Sequence, residues 1–229
     1  MLQLRPSAAS IWTKCALAPR LWSELPPGTG DGDSDPAREG TCAAWLAEMV
    51  LTGIAPDCVS MVGAAHENGW TVDTEMAGHI QGYVDFLRSK GGTIHTERKV
   101  RLNHIIAGTP DSFAVFNDGV VIVDDLKYGY DIVEPTTPQL AIYAGAIVRM
   151  LMSTQRITKV RLGIYQPRAQ HPSGIYRSRD LWPEELMREV HDIEAAAEAA
   201  QLPSAVATPG AHCRYCDAAH RCSAVTHEV

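Results

Sequence analysis

The stretch FAVFNDGVVIVDDLK, residues 113–127, decides how this chain folds. Two apolar runs, Phe113 to Phe116 and Val120 to Val123, are separated by Asn117, Asp118 and Gly119. Such a tripeptide makes a tight turn because glycine tolerates positive φ, so the runs are expected to pair as an antiparallel hairpin. Downstream, Pro138 to Met152 has a helical period, with Pro138 at a helix start where its missing N–H costs nothing. Lys159 to Tyr165 alternates Val160, Leu162 and Ile164 with charged or small residues, the pattern of a strand with one buried face. A loop from Arg168 to Ser173, a short strand from Gly174 to Arg177 and an Ala- and Glu-rich helix from Pro183 to Gln201 follow. Upstream, helical spacing runs through Ala37 to Leu51 and Val72 to Ser89. Thr93 to Leu102 reads as extended, and Ile105-Ile106 as a strand leading into a bend at Gly108. Pro26 to Pro36 is a loop of turn formers and acids, where Asp33, Ser34 or Asp35 could cap the next helix. The order predicts an α/β fold with a mixed central sheet flanked by helices. It forms a single domain over 1–229, with its core at about 93–180 and helical parts at 1–60 and 200–229.

With 229 residues, 45% hydrophobic and 21% charged, the chain can bury a core, and neither a disordered segment nor a multidomain machine fits. No apolar run approaches the roughly 18 residues of a membrane helix, and no apolar leader precedes a small-residue cleavage site. A soluble, cytoplasmic protein without membrane contact is expected. The net charge of −7 argues against a protein that simply coats nucleic acid. A local bias runs the other way. Between Pro135 and Arg179 there is no Asp or Glu, whereas Arg149, Arg156, Lys159, Arg161, Arg168, Arg177 and Arg179 all fall there. Lys159 and Arg161 share the exposed face of their strand and are candidates for a phosphate-binding track, with Arg98, Lys99 and Arg101 as the other basic group.

The end of the hairpin carries the chemistry. In Asp125-Leu126-Lys127 alternation puts a carboxylate and an ammonium on one face, while Asp111 enters from the turn before the partner strand. Two hard oxygen ligands that leave room for water suit Mg²⁺ or Mn²⁺. Phosphodiester hydrolysis needs such a set: the cation neutralises charge on the phosphate, and a lysine orients or deprotonates the attacking water. Asp124 is turned to the opposite face. A lone D-x-K is more often a solvated loop end, so the wider pattern has to carry the argument.

GTPD (108–111), the hairpin, VVIVDDLKYG (120–129) and PQLAIY (138–143) together resemble the PD-(D/E)XK nuclease superfamily, within it the RecB-like exonucleases, and most of all a phage- and prophage-associated branch. The resemblance implies a restriction-endonuclease-like core with Asp111 and Asp125 as metal ligands and Lys127 as the catalytic lysine. It also implies Gln139 and Tyr143 as a Q-x-x-x-Y pair on the helix behind the site, one turn apart, and Glu97 of TERKV (96–100) as a supporting or second-metal carboxylate. One departure concerns the early helix, where that branch commonly has a His after an E-G-T motif. Here EGTCAAW (39–45) has Ala44 at that place, and Glu48, His79, or a backbone carbonyl with water could complete the ligand set.

Six cysteines are too few for a disulfide scaffold, and three of them crowd into CRYCDAAHRC, residues 213–222. Thiolates at Cys213, Cys216 and Cys222 select soft metals or iron–sulfur clusters. With Cys15 the pattern resembles the iron–sulfur staple of several RecB-like nucleases, which implies a [4Fe–4S] cluster tying the two chain ends together. His212 and His220 leave a Cys/His zinc site as the alternative, and Cys42 and Cys58 read as ordinary buried thiols. The function so implied is metal-dependent DNA exonuclease action on free ends, for phage recombination or repair in a bacterial or phage-infected cell, with a single-strand annealing protein as a partner. A catalytically inactive DNA-binding or assembly protein on the same fold, or an endonuclease, are the rivals.

Overall fold

A computed structural model describes residues 1–26 and 34–225, so Asp33, one of the three cap candidates, lies outside the described residues. The strands are β1 (Thr93–Thr96), β2 (Val100–Arg101), β3 (Ala107–Gly108), β4 (Ser112–Val115), β5 (Val120–Leu126), β6 (Lys159–Tyr165) and β7 (Tyr176–Leu181). The helices are α1 (Ala9–Trp12), α2 (Ala18–Ser23), α3 (Asp35–Leu51), α4 (Thr74–Ser89), α5 (Pro138–Leu151) and α6 (Pro183–Gln201). Five strands make one mixed sheet in the order β1-β4-β5-β6-β7. β5 and β6 run parallel, and the other neighbours pair antiparallel. A parallel pair cannot be joined by a tight turn, and α5 supplies the crossover.

The hairpin forms as its sequence requires. Gly119 sits at φ 84, and a Cβ there would strike the Arg156 carbonyl, so glycine is needed both for the turn and for the close approach. Strand alternation then sorts β5 between two layers. Val121 and Val123 join Leu140 and Ile147 of α5 and Leu186 and Val190 of α6 in one cluster. Leu126 joins Leu46 and Val50 of α3 and Ile80 and Val84 of α4 on the other side. Helices therefore cover both faces of the sheet. Capping sets where they begin: Ser34 takes the N-cap position of α3 in extended backbone, Asp73 accepts from the Met76 N–H, and Thr137 from the Leu140 N–H.

Three elements differ from the sequence reading. Thr93 to Leu102 is not one extended run, because Glu97 adopts φ 48 and breaks it into β1 and β2. β2 leaves the main sheet and pairs with β3 alone. Ile105-Ile106 makes no strand of its own: Ile106 bridges Leu4, and the Asn103 side chain accepts from both backbone N–H groups. The last strand is longer and later than Gly174 to Arg177, because Val160 to Tyr165 offer β7 a full antiparallel edge. The two ends of the described chain meet: the Leu2 N–H donates to Gln201 Oε1 at 2.8 Å, and Arg20 Nη1 donates to the Pro203 carbonyl at 2.8 Å. Among the described residues no helix is long and apolar enough to cross a membrane.

Candidate metal-dependent hydrolytic site

The C-terminal end of β5 gathers the candidate residues from four parts of the chain. Asp125 lies on the α5 side, on the parity of Val121 and Val123, and is 2% exposed. Lys127 follows the same parity, and its Nζ lies 2.7 Å from Asp125 Oδ2. Gln139, at the start of α5, links the two: its Nε2 donates to Asp125 Oδ1 at 3.1 Å, and its Oε1 accepts from Lys127 Nζ at 3.3 Å. Tyr143, one turn on, shares that face of α5 with Gln139. Asp111 enters from the turn before β4, and its Oδ2 accepts the Leu126 N–H at 2.7 Å. On the Asp111 side lies a small pocket of about 10 Å³, lined by Ala44, Glu48, Tyr83, Glu97 and Asp111 among others; Asp125, Lys127 and Gln139 do not line it.

The electrostatics are those of crowded acids with one cation. Burial, and then the Asp125 charge, push the Asp111 carboxyl well above its ordinary range. Glu97 is raised by partial burial and then by Glu48. Burial alone would lower the Lys127 ammonium, but Asp125 and Asp111 outweigh it and hold Lys127 above its ordinary value. Lys127 is thus held between two carboxylates, placed to act on a water or to stabilise charge. Asp125 Oδ2 is buried and meets hydrogen-bond geometry with no donor, the Lys127 contact included. Asp111 and Asp125 supply hard carboxylate donors of the kind a divalent cation takes, with one ammonium between the two charges. The arrangement is a donor set and not a finished cage, since the described His, Cys, Asp and Glu residues contain no ready group of three that could hold a metal.

The cysteine residues also come together. Cys15, Cys213, Cys216 and Cys222 line one apolar pocket with Ile11, and His212 lines it too. The Thr208 N–H donates to Cys15 Sγ at 3.5 Å and the Gly210 N–H to Cys213 Sγ at 3.4 Å. Thiols with backbone donors beside them are soft ligands in kind, but as they stand these four also form no ready group of three that could hold a metal. Cys42 and Cys58 are buried elsewhere, and burial raises both thiols.

Several sequence-level assignments change meaning in space. Asp124 does face away, and there it meets a partner the sequence did not suggest: Lys90 Nζ at 2.6 Å, with the Tyr176 hydroxyl donating at 3.0 Å. The acid-free stretch is not a bare basic strip. Lys159 and Arg161 share the exposed face, but both bond Asp180 of β7, at 3.4 Å and 2.6 Å. Arg149 pairs with Glu194, Arg168 with Glu39 and Arg179 with Glu189, while Arg177 is buried against the Val133 carbonyl. Each of those acids lies outside the stretch in sequence. Arg98, Lys99 and Arg101 stay exposed next to Glu97. His79 faces Tyr128, with its Nδ1 3.3 Å from the hydroxyl, and is not among the residues lining the acidic pocket.

Two solved structures bear a distant likeness to this chain. A candidate exonuclease from Eubacterium rectale is 11% identical over 86% of this chain and 79% of its own, with a TM-score of 0.47. The protein SSO0001 is 15% identical over 95% of each chain, with a TM-score of 0.36. No curated protein matches. One family covers nearly the whole length, matching residues 2–229: the chain belongs to the family described as "Protein of unknown function (DUF2800)".

Proposed function

We propose that this protein is a metal-dependent deoxyribonuclease of the PD-(D/E)XK type that hydrolyses phosphodiester bonds from DNA ends. The observation that carries the reading is the hydrogen-bonded set of Asp125, Lys127 and Gln139 beside Asp111, assembled at one end of β5 from three separate elements. Asp111 and Asp125 would hold Mg²⁺ or Mn²⁺, which supplies charge neutralisation at the phosphate. Lys127, 2.7 Å from Asp125, would orient the attacking water and stabilise negative charge as the P–O bond breaks. Gln139 fixes both Asp125 and Lys127, and Tyr143 shares its helix face. The exposed Arg98, Lys99 and Arg101 lie on the site's doorstep and are the better phosphate track; Lys159 and Arg161 contribute only the charge that Asp180 leaves them.

Cys15, Cys213, Cys216 and Cys222 would carry a [4Fe–4S] cluster that fastens the C-terminal segment to the first helices. A zinc site is the second reading, favoured by one observation: His212 Nε2 is buried in that segment without a hydrogen-bond partner. DNA with free ends is the substrate in this reading, and phage recombination or repair, beside a single-strand annealing protein, is the setting.

The test is purified full-length protein with Mg²⁺ or Mn²⁺ on linear and on closed circular DNA. Loss of linear DNA alone supports the exonuclease. Cutting of circles makes it an endonuclease, and binding without cutting makes it an inactive DNA-binding protein. Anaerobically prepared protein is expected to be brown, with iron and sulfide in it; colourless protein with stoichiometric zinc selects the zinc site.

A further inference from the structure

The segment that follows Lys127 is neither helix nor strand, yet side chains hold its backbone almost residue by residue. Arg168 Nε donates to the Tyr128 carbonyl at 2.7 Å, and Gln166 Nε2 donates to the carbonyls of Gly129 and Asp131, each at 2.8 Å. Gln166 Oε1 accepts from the Val133 N–H at 3.2 Å, and Arg177 Nη2 donates to the Val133 carbonyl at 2.8 Å. Arg179 Nε donates to the Pro135 carbonyl at 2.9 Å. Gln166 and Arg177 are themselves buried. Three arginines of the acid-free stretch thus fix one loop beside the candidate site.

A loop so well held could turn its apolar side chains inward, but Tyr130 is 66% exposed. Its ring is supported from within. The Arg168 guanidinium lies 4.3 Å from the Tyr130 centroid and 4.1 Å from that of Tyr128, and Arg168 Nη1 donates to Glu39 Oε1 at 2.8 Å. A paired cation backs the ring, and most of the ring stays open to solvent. An aromatic side chain on a fixed backbone has little conformational freedom left to lose, so a partner stacks on it at low entropic cost. Tyr130 follows Lys127 by three residues, at most about 11 Å of chain. That reach is roughly three steps of stacked DNA at ~3.4 Å per nucleotide.

We propose that Tyr130 is a stacking platform for a nucleobase of the strand whose phosphate lies at Lys127. The inference rests on the deoxyribonuclease reading above and deepens it. A base inside a duplex has both faces covered by its neighbours, so the ring can meet only a base at a strand end or one taken out of the stack. The substrate so named is a frayed or single-stranded DNA end. Stacking is sequence-tolerant because every base has a π-face, and no base preference is expected. Arg168 is occupied by Glu39 and takes no phosphate; that contact stays with Arg98, Lys99 and Arg101.

The experiment is equilibrium binding of the full-length protein, without added Mg²⁺ or Mn²⁺, to single-stranded oligonucleotides carrying 2-aminopurine at successive positions from either end. Affinity is read from the anisotropy of a distant label, and stacking from quenching of the 2-aminopurine. Tyr130→Ala is expected to weaken binding about 5- to 150-fold and to abolish the quenching, with the salt slope and the unfolding midpoint unchanged. Tyr130→Trp should keep both signals, and Tyr130→Leu, apolar but without a π-face, should not. An abasic site at the quenched position should make wild type and Tyr130→Ala bind alike. Wild-type affinity in Tyr130→Ala, or full rescue by Tyr130→Leu, overturns the proposal and leaves the nuclease reading to its own cutting assay. Weaker binding with a lowered unfolding midpoint overturns it too, by making Tyr130 structural. Tyr130-dependent quenching in a protein that cuts no DNA with either metal keeps the stacking site and removes the nuclease reading.

Discussion

Asp124 and Asp125 are consecutive residues on β5, equally buried, and their surroundings could hardly differ more. Asp124 faces α4 and meets an ammonium and a phenol: Lys90, itself wrapped by the Phe86 and Tyr176 rings, and the Tyr176 hydroxyl. Every charge there has its answer within the fold. Asp125 faces α5, where its Oδ1 accepts from Gln139 Nε2 and its Oδ2 lies 2.7 Å from the Lys127 ammonium, whose charge Asp111 also draws on. One carboxylate matched to one ammonium holds a strand in place, whereas two buried carboxylates around one ammonium keep a repulsion that a ligand can relieve. Adjacent carboxylates of the same type thus serve stability on one face and chemistry on the other, and alternation alone assigns which does which.

Breaking the comparison gives the largest effects. Asp125→Asn, Asp111→Ala and Lys127→Ala should each lower DNA hydrolysis by about 10²-fold or more with the fold retained, as read by nuclease assay beside circular dichroism. Normal turnover in any of the three would remove that residue from the chemistry. Asp124→Asn should do the reverse, destabilising the protein by about 3–5 kcal/mol in denaturant unfolding because Lys90, at 12% exposure, loses its counter-charge. Adding Lys90→Met to that variant should recover most of the loss, since an apolar replacement of both partners leaves no charge buried. If Asp124→Asn abolished hydrolysis at unchanged stability, the two faces would not be separable in this way.

Smaller effects sharpen the picture at the periphery. Lys159→Ala with Arg161→Ala should flatten the salt dependence of DNA binding by about one unit, not two, because Asp180 already neutralises one of the two charges. Smallest of all is a pH effect. Hydrogen bonds from Arg161 and Arg149 hold Asp180 and Glu194 below their ordinary ranges. Their stabilisation is therefore complete at neutral pH and fades as pH falls through and below the ordinary carboxylate range. Being partly exposed, these pairs should shift the acid unfolding midpoint only slightly in Asp180→Asn and Glu194→Gln.

Much of this was legible in the sequence. The hairpin, α5, β6 and α6 follow from turn chemistry and periodicity, and the shared face of Asp125 and Lys127 follows from strand parity. What escaped was whatever depends on residues distant in sequence. The Lys90–Asp124 pair spans a helix-to-strand jump, and the acid-free stretch read as a basic strip because its counter-acids lie at 39, 180, 189 and 194. The break at Glu97 was hidden for another reason: positive φ is rare outside glycine, and nothing in TERKV announces it.

The parallel pairing of β5 with β6 also matters while the chain is being made. On the ribosome, β5 must wait for the roughly forty residues through α5 and β6 before its second edge is covered, on the order of 2–8 s at typical elongation speeds. For that interval the run Val120 to Val123 is an open edge able to recruit another nascent chain. The two carboxylates that follow it interrupt the apolar run with negative charge. They act as gatekeepers against aggregation while that edge is open, so neutralising both at once should lower soluble yield even where the finished protein tolerates it.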